Sequence, residues 1–133
     1  MELTESEGDH SVKLAICAQG EGLEAPVDQR FGRCPCFVIV DSETGELVKS
    51  LPNSAMTAAG GAGPQSARQL SQEGVEAVAV GHVGPNAAAA LKAAGIAIYG
   101  GVAGTVRQTW RQFHEGKLPA VDEATVDSHH GML

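Results

Sequence analysis

The second half of the chain repeats one pattern, in which a helix begins at proline, ends at glycine and is followed by a short apolar strand. Proline suits the first turn of a helix and glycine the position just past its end, whereas strands that are apolar throughout are typical of buried parallel sheets. The pattern occurs twice, as helix 64–73 with strand 75–80 and as helix 85–94 with strand 96–99, punctuated by Pro64, Gly74, Pro85 and Gly95. It predicts two consecutive β-α-β units with parallel strands.

The first half of the chain is different, because it predicts strands with no helix between them. These strands are expected at 12–18, 36–41 and 46–51, the last two joined by the hairpin turn S-E-T-G. A final helix is predicted over about 105–116, where Thr105 and Gln108 form a capping box and Trp110 faces the core. The order β-β-β-α-β-α-β-α and the right-handed crossover rule together predict an α/β fold, a five-stranded mixed sheet with helices on its faces.

In that topology the glycine-rich loops meet at one end of the sheet, which is where open α/β sheets bind ligands. The loops are 18–35, 58–63, 81–86 and 100–105, and each of the last three leads into a helix N-terminus. Backbone N–H groups and the helix dipole at such termini favour an anion. With Arg30 and Arg33 in the first loop, we expect a pocket for a negatively charged ligand, lined by the glycines of these loops: Gly60, Gly61, Gly63, Gly84, Gly101 and Gly104.

Two of the three cysteines, Cys34 and Cys36, lie at the mouth of the second strand, and three interpretations of them stay open: metal ligands, a redox pair or core residues. If the backbone is extended there, both side chains point to the same side. Pro35 between them disfavours a helical redox motif, and their spacing is poor for a disulfide. The arginines and helix N-termini nearby would favour thiolates and soft-metal binding. His82, which follows the fourth strand between glycine-rich turns, is a further candidate ligand, and Cys17 lies inside the first strand.

The formal charge of −7 lies entirely in the two ends of the chain. The segments 1–11 and 119–133 carry seven acids and no Lys or Arg, which leaves nine acids against nine Lys and Arg between them. We therefore expect a single domain over 12–118 with flexible acidic tails. A chain without a basic stripe, with 4% aromatic residues and with neither a signal peptide nor a long apolar run is expected to be cytoplasmic and to bind neither nucleic acid nor membrane.

Three spaced motifs resemble those of a known family. They are G-L-E-A-P-V-D-Q-R-F-G-R-C-P-C-F-V-I-V-D, then A-G-G-A-G-P-Q-S-A, then V-G-P-N-A-A-A-A-L-K-A-A-G-I with G-T-V-R. They are similar to the dinitrogenase iron–molybdenum cofactor biosynthesis family, which includes NifX-like proteins, the C-terminal domain of NifB-like proteins and orange-protein-like members. The resemblance covers roughly residues 12 to 118.

The resemblance implies a ribonuclease-H-like fold and non-enzymatic binding or carriage of an anionic metal–sulfur cluster of the Fe–S, Fe–Mo–S or Mo–Cu–S type. It also implies donor or acceptor proteins of cluster assembly as partners. By motif position the implied site comprises Arg30, Gly32, Arg33, Cys34, the loop 60–63 and residues 84–86, including Asn86. Position 36 is more often aromatic in the family and position 82 varies, so Cys36 and His82 are suggestions of this sequence alone.

Alternative functions are a protein-interaction module without a cluster and a small-anion or nucleotide-binding protein. The glycine loops form neither a full dinucleotide-binding fingerprint nor a P-loop, which weakens the nucleotide interpretation. A nuclease would need carboxylates on the central strands to hold two metal ions, and only Glu76 is available, at the wrong end of its strand. The sequence therefore favours a cluster carrier that is not an enzyme.

Overall fold

The computed structural model describes residues 12–54 and 61–121. They form five strands and three helices in the predicted order. The elements are β1 (Lys13–Ala18), β2 (Cys36–Asp41), β3 (Leu47–Pro52), α1 (Ala62–Gln72), β4 (Ala77–Ala79), α2 (Pro85–Ala93), β5 (Ala97–Tyr99) and α3 (Val106–His114).

The five strands make one mixed sheet with the order β3-β2-β1-β4-β5. The β2 strand is antiparallel to both β1 and β3, and β4 is parallel to both β1 and β5. The register aligns Ala18 with Cys36 and Ile16 with Ala79. The carboxyl ends of β1, β3, β4 and β5 therefore lie at one end of the sheet, where β2 begins. The predicted mixed sheet and its strand directions are confirmed.

Helices cover both faces of the sheet, and the strands alternate between two apolar cores. Ala15 and Cys17 of β1 belong to the core that also contains Leu70 of α1 and Leu91 of α2. Leu14 and Ile16 of the same strand belong to the other core, against which Trp110 of α3 packs. This arrangement fixes α1 and α2 side by side on one face and α3 on the opposite face.

The start of one helix differs from the prediction. Helix α1 begins at Ala62 rather than Pro64, because Gly61 is in the left-handed conformation with φ of 75° and forms the N-cap. Pro64 remains acceptable because the N–H groups of a first helical turn have no partner within the helix. The predicted Thr105–Gln108 capping box of α3 is present.

Residues that follow the predicted domain boundary at 118 also form hydrogen bonds with the sheet. The Gly100 N–H donates to the Pro119 carbonyl at 2.9 Å, and the Val121 N–H donates to the Ile98 carbonyl at 2.8 Å. Residues 119–121 thus add a short antiparallel segment to the outer edge of β5. The rest of the two predicted tails, 1–11 and 122–133, lies outside the described residues. No helix within the described ranges is long and apolar enough to cross a membrane.

Candidate functional site

A pocket of about 230 Å³ lies where the first turns of α1 and α2 meet the loop that precedes β2. We call it the helix-end pocket. Its lining residues are Phe31, Arg33, Gly61, Ala62, Gly63, Pro64, Gly84, Pro85, Asn86 and Ala87. Five of the residues predicted for the site line it, namely Arg33, Gly61, Gly63, Gly84 and Asn86, while Gly60 lies outside the described residues.

Close backbone packing brings the three parts of the pocket together. A Cβ atom at Gly63 would lie 2.6 Å from the Cβ of Ala87, and one at Gly32 would lie 3.2 Å from the Gly63 nitrogen. Real Cβ atoms essentially never approach a neighbour to 2.6 Å, and 3.2 Å is tighter than most of their contacts. Glycine at these positions therefore allows α1 to touch both α2 and the arginine-bearing loop, residues 28–33. Gly32 therefore acts behind the pocket, as a packing residue.

Both helices present N-termini without a side-chain cap to the pocket. The N-cap residues are Gly61 for α1 and Gly84 for α2, and neither has a side chain that could accept a hydrogen bond from the first turn. Backbone N–H groups of a first turn and the positive end of the helix dipole attract anions. The pocket therefore has the electrostatic character expected for an anionic ligand.

The third helix does not contribute to this pocket, contrary to the expectation that three N-termini converge. The N–H groups of Val106 and Arg107 in α3 donate to the carbonyls of Ala25 and Leu23, each at 2.9 Å. Carbonyl groups of the loop before β2 thus accept hydrogen bonds from the first turn of α3. Gly101 and Gly104 lie next to Pro119 and the Gln108 side chain, away from the residues that line the helix-end pocket.

The two predicted arginines have different environments. Arg33 lines the helix-end pocket. The Arg30 side chain is 66% exposed, and its Nε lies 3.3 Å from Oδ1 of Asp28, whose side chain is only 6% exposed. Arg33 is therefore the predicted arginine that lines the pocket, whereas Arg30 is paired with Asp28 outside the lining.

His82 holds the arginine-bearing loop through its backbone. Its N–H donates to the Gln29 carbonyl at 2.6 Å, and its carbonyl accepts from the Phe31 N–H at 3.1 Å. His82 is exposed, its backbone pairs with that of Arg30, and it is not among the residues that line the pocket.

The two cysteines of the C-P-C segment lie on opposite faces of the sheet, because the backbone is not extended there, as a shared orientation would have required. Cys34 is fully buried in the core beneath α1 and α2, whereas Cys36 is 4% exposed and belongs to the core beneath α3. The backbone bends at Pro35, which breaks the alternation expected of an extended chain. Cys34, Cys36 and His82 therefore do not converge on a single site.

The thiol environments also differ from the expectation that nearby positive charge would favour thiolates. Burial, followed by the charges of Glu21 and Cys34, raises the pKa of Cys36 to about 11. Burial, followed by a hydrogen bond with the Cys34 thiol, raises the pKa of Cys17 well above its ordinary value. Both groups are protonated at neutral pH, a state that does not bind metal. Among residues 12–54 and 61–121, no three His, Cys, Asp or Glu side chains are grouped so that they could hold a metal ion.

A buried amide that supports the pocket was not predicted from the sequence. Asn53 Nδ2 donates to the carbonyls of Gly32 and Cys34 at 3.1 and 2.9 Å. Its Oδ1 accepts from Ser66 Oγ and Gln69 Nε2 of α1 at 3.1 and 2.9 Å. Asn53 thus ties the arginine-bearing loop to the helix that lines the pocket. No local motif marks such a residue, since its partners are separated from it by 13 to 21 positions.

Comparisons with known proteins agree with this architecture. The family model described as dinitrogenase iron-molybdenum cofactor matches residues 12–116. The apo form of the orange protein from Desulfovibrio gigas is 37% identical with a TM-score of 0.83, covering 88% of this chain and 98% of that one.

Matches to two further proteins cover most of the length of each of them. A Thermotoga protein provisionally named as NifB is 35% identical with a TM-score of 0.75, covering 86% of this chain and 97% of that one. An uncharacterized protein of Methanocaldococcus jannaschii is 36% identical over 103 residues, which are 72% of this chain and 87% of that protein. These matches agree with the resemblance inferred from the motifs.

Proposed function

The chain belongs to the dinitrogenase iron–molybdenum cofactor family, and from that premise we propose that its helix-end pocket binds an anionic metal–sulfur cluster as cargo. The cluster is of the Fe–S, Fe–Mo–S or Mo–Cu–S type and is passed between donor and acceptor proteins of cluster assembly in the cytoplasm. The topology, a five-stranded mixed sheet with β2 antiparallel to its neighbours, supports describing the fold as ribonuclease-H-like.

The observation that carries the proposal is the pairing of two uncapped helix N-termini with Arg33 around one pocket. Sulfide ligands give such clusters a negative charge spread over their surface. Backbone N–H groups can donate to those sulfides, and the guanidinium adds a full positive charge. Binding of this kind needs no covalent ligand, so the cluster can be released intact.

The composition of the pocket also supports carriage rather than catalysis. Among residues 12–54 and 61–121, those that line the pocket include no His, Asp, Glu or Cys. General acid–base and nucleophilic catalysis require such side chains within hydrogen-bond reach of the substrate. The lining residues offer binding groups without a group that moves a proton or attacks a bond, which supports a non-enzymatic role.

The helix N-termini and Arg33 hold the cluster, and one supplementary metal contact, from outside the residues that line the pocket, is proposed for His82 rather than for the two cysteines. His82 is exposed, while Cys34 and Cys36 are buried on opposite sides of the sheet. We expect His82→Ala to weaken retention of a cluster about tenfold, or about 1.4 kcal/mol. Cys36→Ala is the matched control and should leave retention unchanged.

The test of the pocket uses tetrathiomolybdate as a small, coloured sulfide dianion under anaerobic conditions. Equilibrium dialysis with visible absorption measures its affinity for the full chain and for Arg33→Gln. Removing the charge that lines the pocket should weaken binding about tenfold, about 1.4 kcal/mol. Arg68→Gln is the matched control, because Arg68 is exposed on the same helix α1 but does not line the pocket.

Competition separates a sulfide site from a general anion site. Molybdate and phosphate carry similar charge but expose oxygen, so a cluster carrier should prefer tetrathiomolybdate over both. Equal affinity for the three anions would favour the small-anion alternative. Failure to bind any of them at millimolar concentration would refute the pocket as a cargo site and favour an interaction module.

A further inference from the structure

Two of the three thiols meet inside the core, although 16 residues separate them in the sequence. Cys17 lies in β1 and Cys34 lies before β2, and both are fully buried in one apolar cluster with Phe31 and Phe37. The two side chains are close enough to interact, because Cys34 is, after burial, the largest cause of the raised pKa of Cys17. Their contact depends on the loop between them, which returns to β1 where the Asp28 N–H donates to the Cys17 carbonyl at 2.9 Å.

The surroundings of this thiol pair favour a neutral product over a charged one. Both thiols belong to a cluster of apolar side chains, and the negative charge of Asp28 disfavours ionisation of Cys17. A metal held by the pair would require both thiols to ionise in this buried environment, which is costly. A disulfide is neutral and apolar, so it is the form of the pair that the core can accommodate.

Cys36 does not take part in this contact, because it lies in the core on the other face of the sheet. All three cysteines are free thiols in the structure. The chain therefore contains one preformed dithiol and one isolated thiol, and the isolated thiol provides an internal comparison.

We propose that Cys17 and Cys34 form a redox site that closes to an intramolecular disulfide in the presence of a low-molecular-weight disulfide such as glutathione disulfide. One cysteine, as thiolate, attacks the glutathione disulfide and releases one glutathione. The second cysteine then attacks the mixed disulfide and releases the other. Overall the two protein thiols lose two protons and two electrons, and one glutathione disulfide becomes two glutathione molecules.

The bond would lock the arginine-bearing loop to β1. Residues 28–33 lie between the two cysteines, and Arg33 is adjacent to Cys34. Because both thiols are buried, exchange with glutathione requires the loop to open locally, so the reaction should be slow in the native protein. This inference does not rest on the proposed function, since the chemistry involves the core and not the pocket.

The test uses the full chain carrying Cys36→Ala, so that only Cys17 and Cys34 can form an intramolecular bond. After anaerobic reduction it is equilibrated with glutathione disulfide and glutathione, quenched with acid and alkylated. Intact mass should show the loss of two hydrogens with no alkylated thiol, and digestion should yield a peptide linking Cys17 and Cys34. The melting temperature of the oxidised form should exceed that of the reduced form by on the order of 10 °C, because the bond closes a loop of about 18 residues.

The wild-type chain and Cys17→Ala complete the design. Wild type should form the same bond and keep Cys36 alkylatable, while Cys17→Ala should gain no intramolecular bond. Two results would overturn the proposal: both thiols still free at equilibrium in an oxidising glutathione buffer, or bonds that form only through Cys36 or only in denaturant. These readouts are mass and melting temperature, so they are independent of whether the pocket binds a cluster.

Discussion

Asn53 follows directly on β3, and its side chain lies between the arginine-bearing loop and α1. It is buried, with 6% of its surface exposed. Its amide donates to two carbonyls of the loop and accepts from two side chains of α1, which makes it the polar link between two walls of the helix-end pocket. An amide with all its hydrogen bonds made stabilises the fold only while all its partners are present. Each buried polar atom that loses its hydrogen-bond partner lowers the stability of the protein.

Replacing Asn53 with Ala should lower the free energy of unfolding by about 2–4 kcal/mol, because the carbonyls of Gly32 and Cys34 lose their buried donor. Urea denaturation measures this loss. Asn86→Ala is the control, since Asn86 is exposed on α2 and should change stability by less than about 0.5 kcal/mol. A loss for Asn53→Ala that is no larger than the control would mean that the amide network does not hold the loop.

The sequence predicted pocket residues better than supporting residues. The sequence placed Arg33, Gly61, Gly63 and Gly84 at this end of the sheet because glycine, proline and arginine at strand ends carry local information about turns and helix starts. Asn86 came from the family resemblance alone. The opposite orientation of the Cys34 and Cys36 side chains could not be predicted from such local information, because it depends on a backbone bend at Pro35. The same limit applies to any residue whose role depends on partners distant in sequence.

At the scale of elements, the pocket depends on how closely α1 approaches α2. Gly63 is the contact point, where a Cβ atom would lie 2.6 Å from the Cβ of Ala87. Alanine has a higher helix propensity than glycine, so Gly63→Ala would stabilise an isolated helix by about 1 kcal/mol. In the folded protein, crowding against Ala87 should instead make the substitution destabilising.

We expect Gly63→Ala to destabilise the protein by about 1–3 kcal/mol, since the two helices must move apart. The double variant with Ala87→Gly removes the opposing methyl group and should recover part of the loss. A double-mutant cycle measured by urea denaturation gives the coupling between the two positions, expected at about 1 kcal/mol or more. Additive effects would show that the two positions do not compete for the same space.

Another inter-element contact joins α3 to the β2–β3 hairpin. The Trp110 indole N–H donates to the Ser42 carbonyl at 2.9 Å. The ring covers Gly45, where φ is 78° and a Cβ atom would lie 2.8 Å from the indole. The turn therefore requires glycine for two reasons, its left-handed backbone and the ring above it.

Gly45→Ala should destabilise the protein by on the order of 2–3 kcal/mol, because both the backbone strain and the displaced ring contribute. Gly95→Ala separates the two contributions. Gly95 also has φ of 78°, but nothing lies within 4 Å of the position that a Cβ atom would take there, so only the backbone strain of about 1 kcal/mol applies. Thermal unfolding should show a larger loss of stability for Gly45→Ala than for Gly95→Ala. Equal losses of stability would argue against the tryptophan contact.

The mixed sheet was predictable because each of its determinants is local: the proline and glycine at the helix ends, the hairpin turn and the short connections. The role of α3 was not predictable by the same means. Its capping box was recognised, but its first N–H groups are taken by Ala25 and Leu23, which belong to a loop about 80 residues earlier in the chain. A glycine-rich loop before a helix therefore predicts where the helix begins, but it does not predict which group accepts hydrogen bonds from the first N–H groups.

At the scale of the whole molecule, each face of the sheet buries thiols that the fold keeps protonated. Burial first, then neighbouring charge, raises the pKa of Cys36 on one face and of Cys17 on the other. A cysteine in an unfolded chain ionises near pH 8.5. Where the folded pKa is higher than the unfolded pKa, the unfolded state loses its proton first, so stability falls as the pH rises.

For Cys36, the pH range over which stability falls extends up to the folded pKa of about 11. Below about pH 8.5 both states are protonated and the group has no effect, while between about pH 9 and pH 11 the unfolded state alone releases a proton. Other groups titrate in the same range, so the informative quantity is the difference between wild type and Cys36→Ala. Urea unfolding under reducing conditions from pH 8 to pH 10.5 should show a shallower decline for the variant, with the gap changing by about 2 kcal/mol across the range. Parallel declines would mean that Cys36 ionises as readily in the folded protein as in the unfolded chain, and that its burial does not protect the thiol.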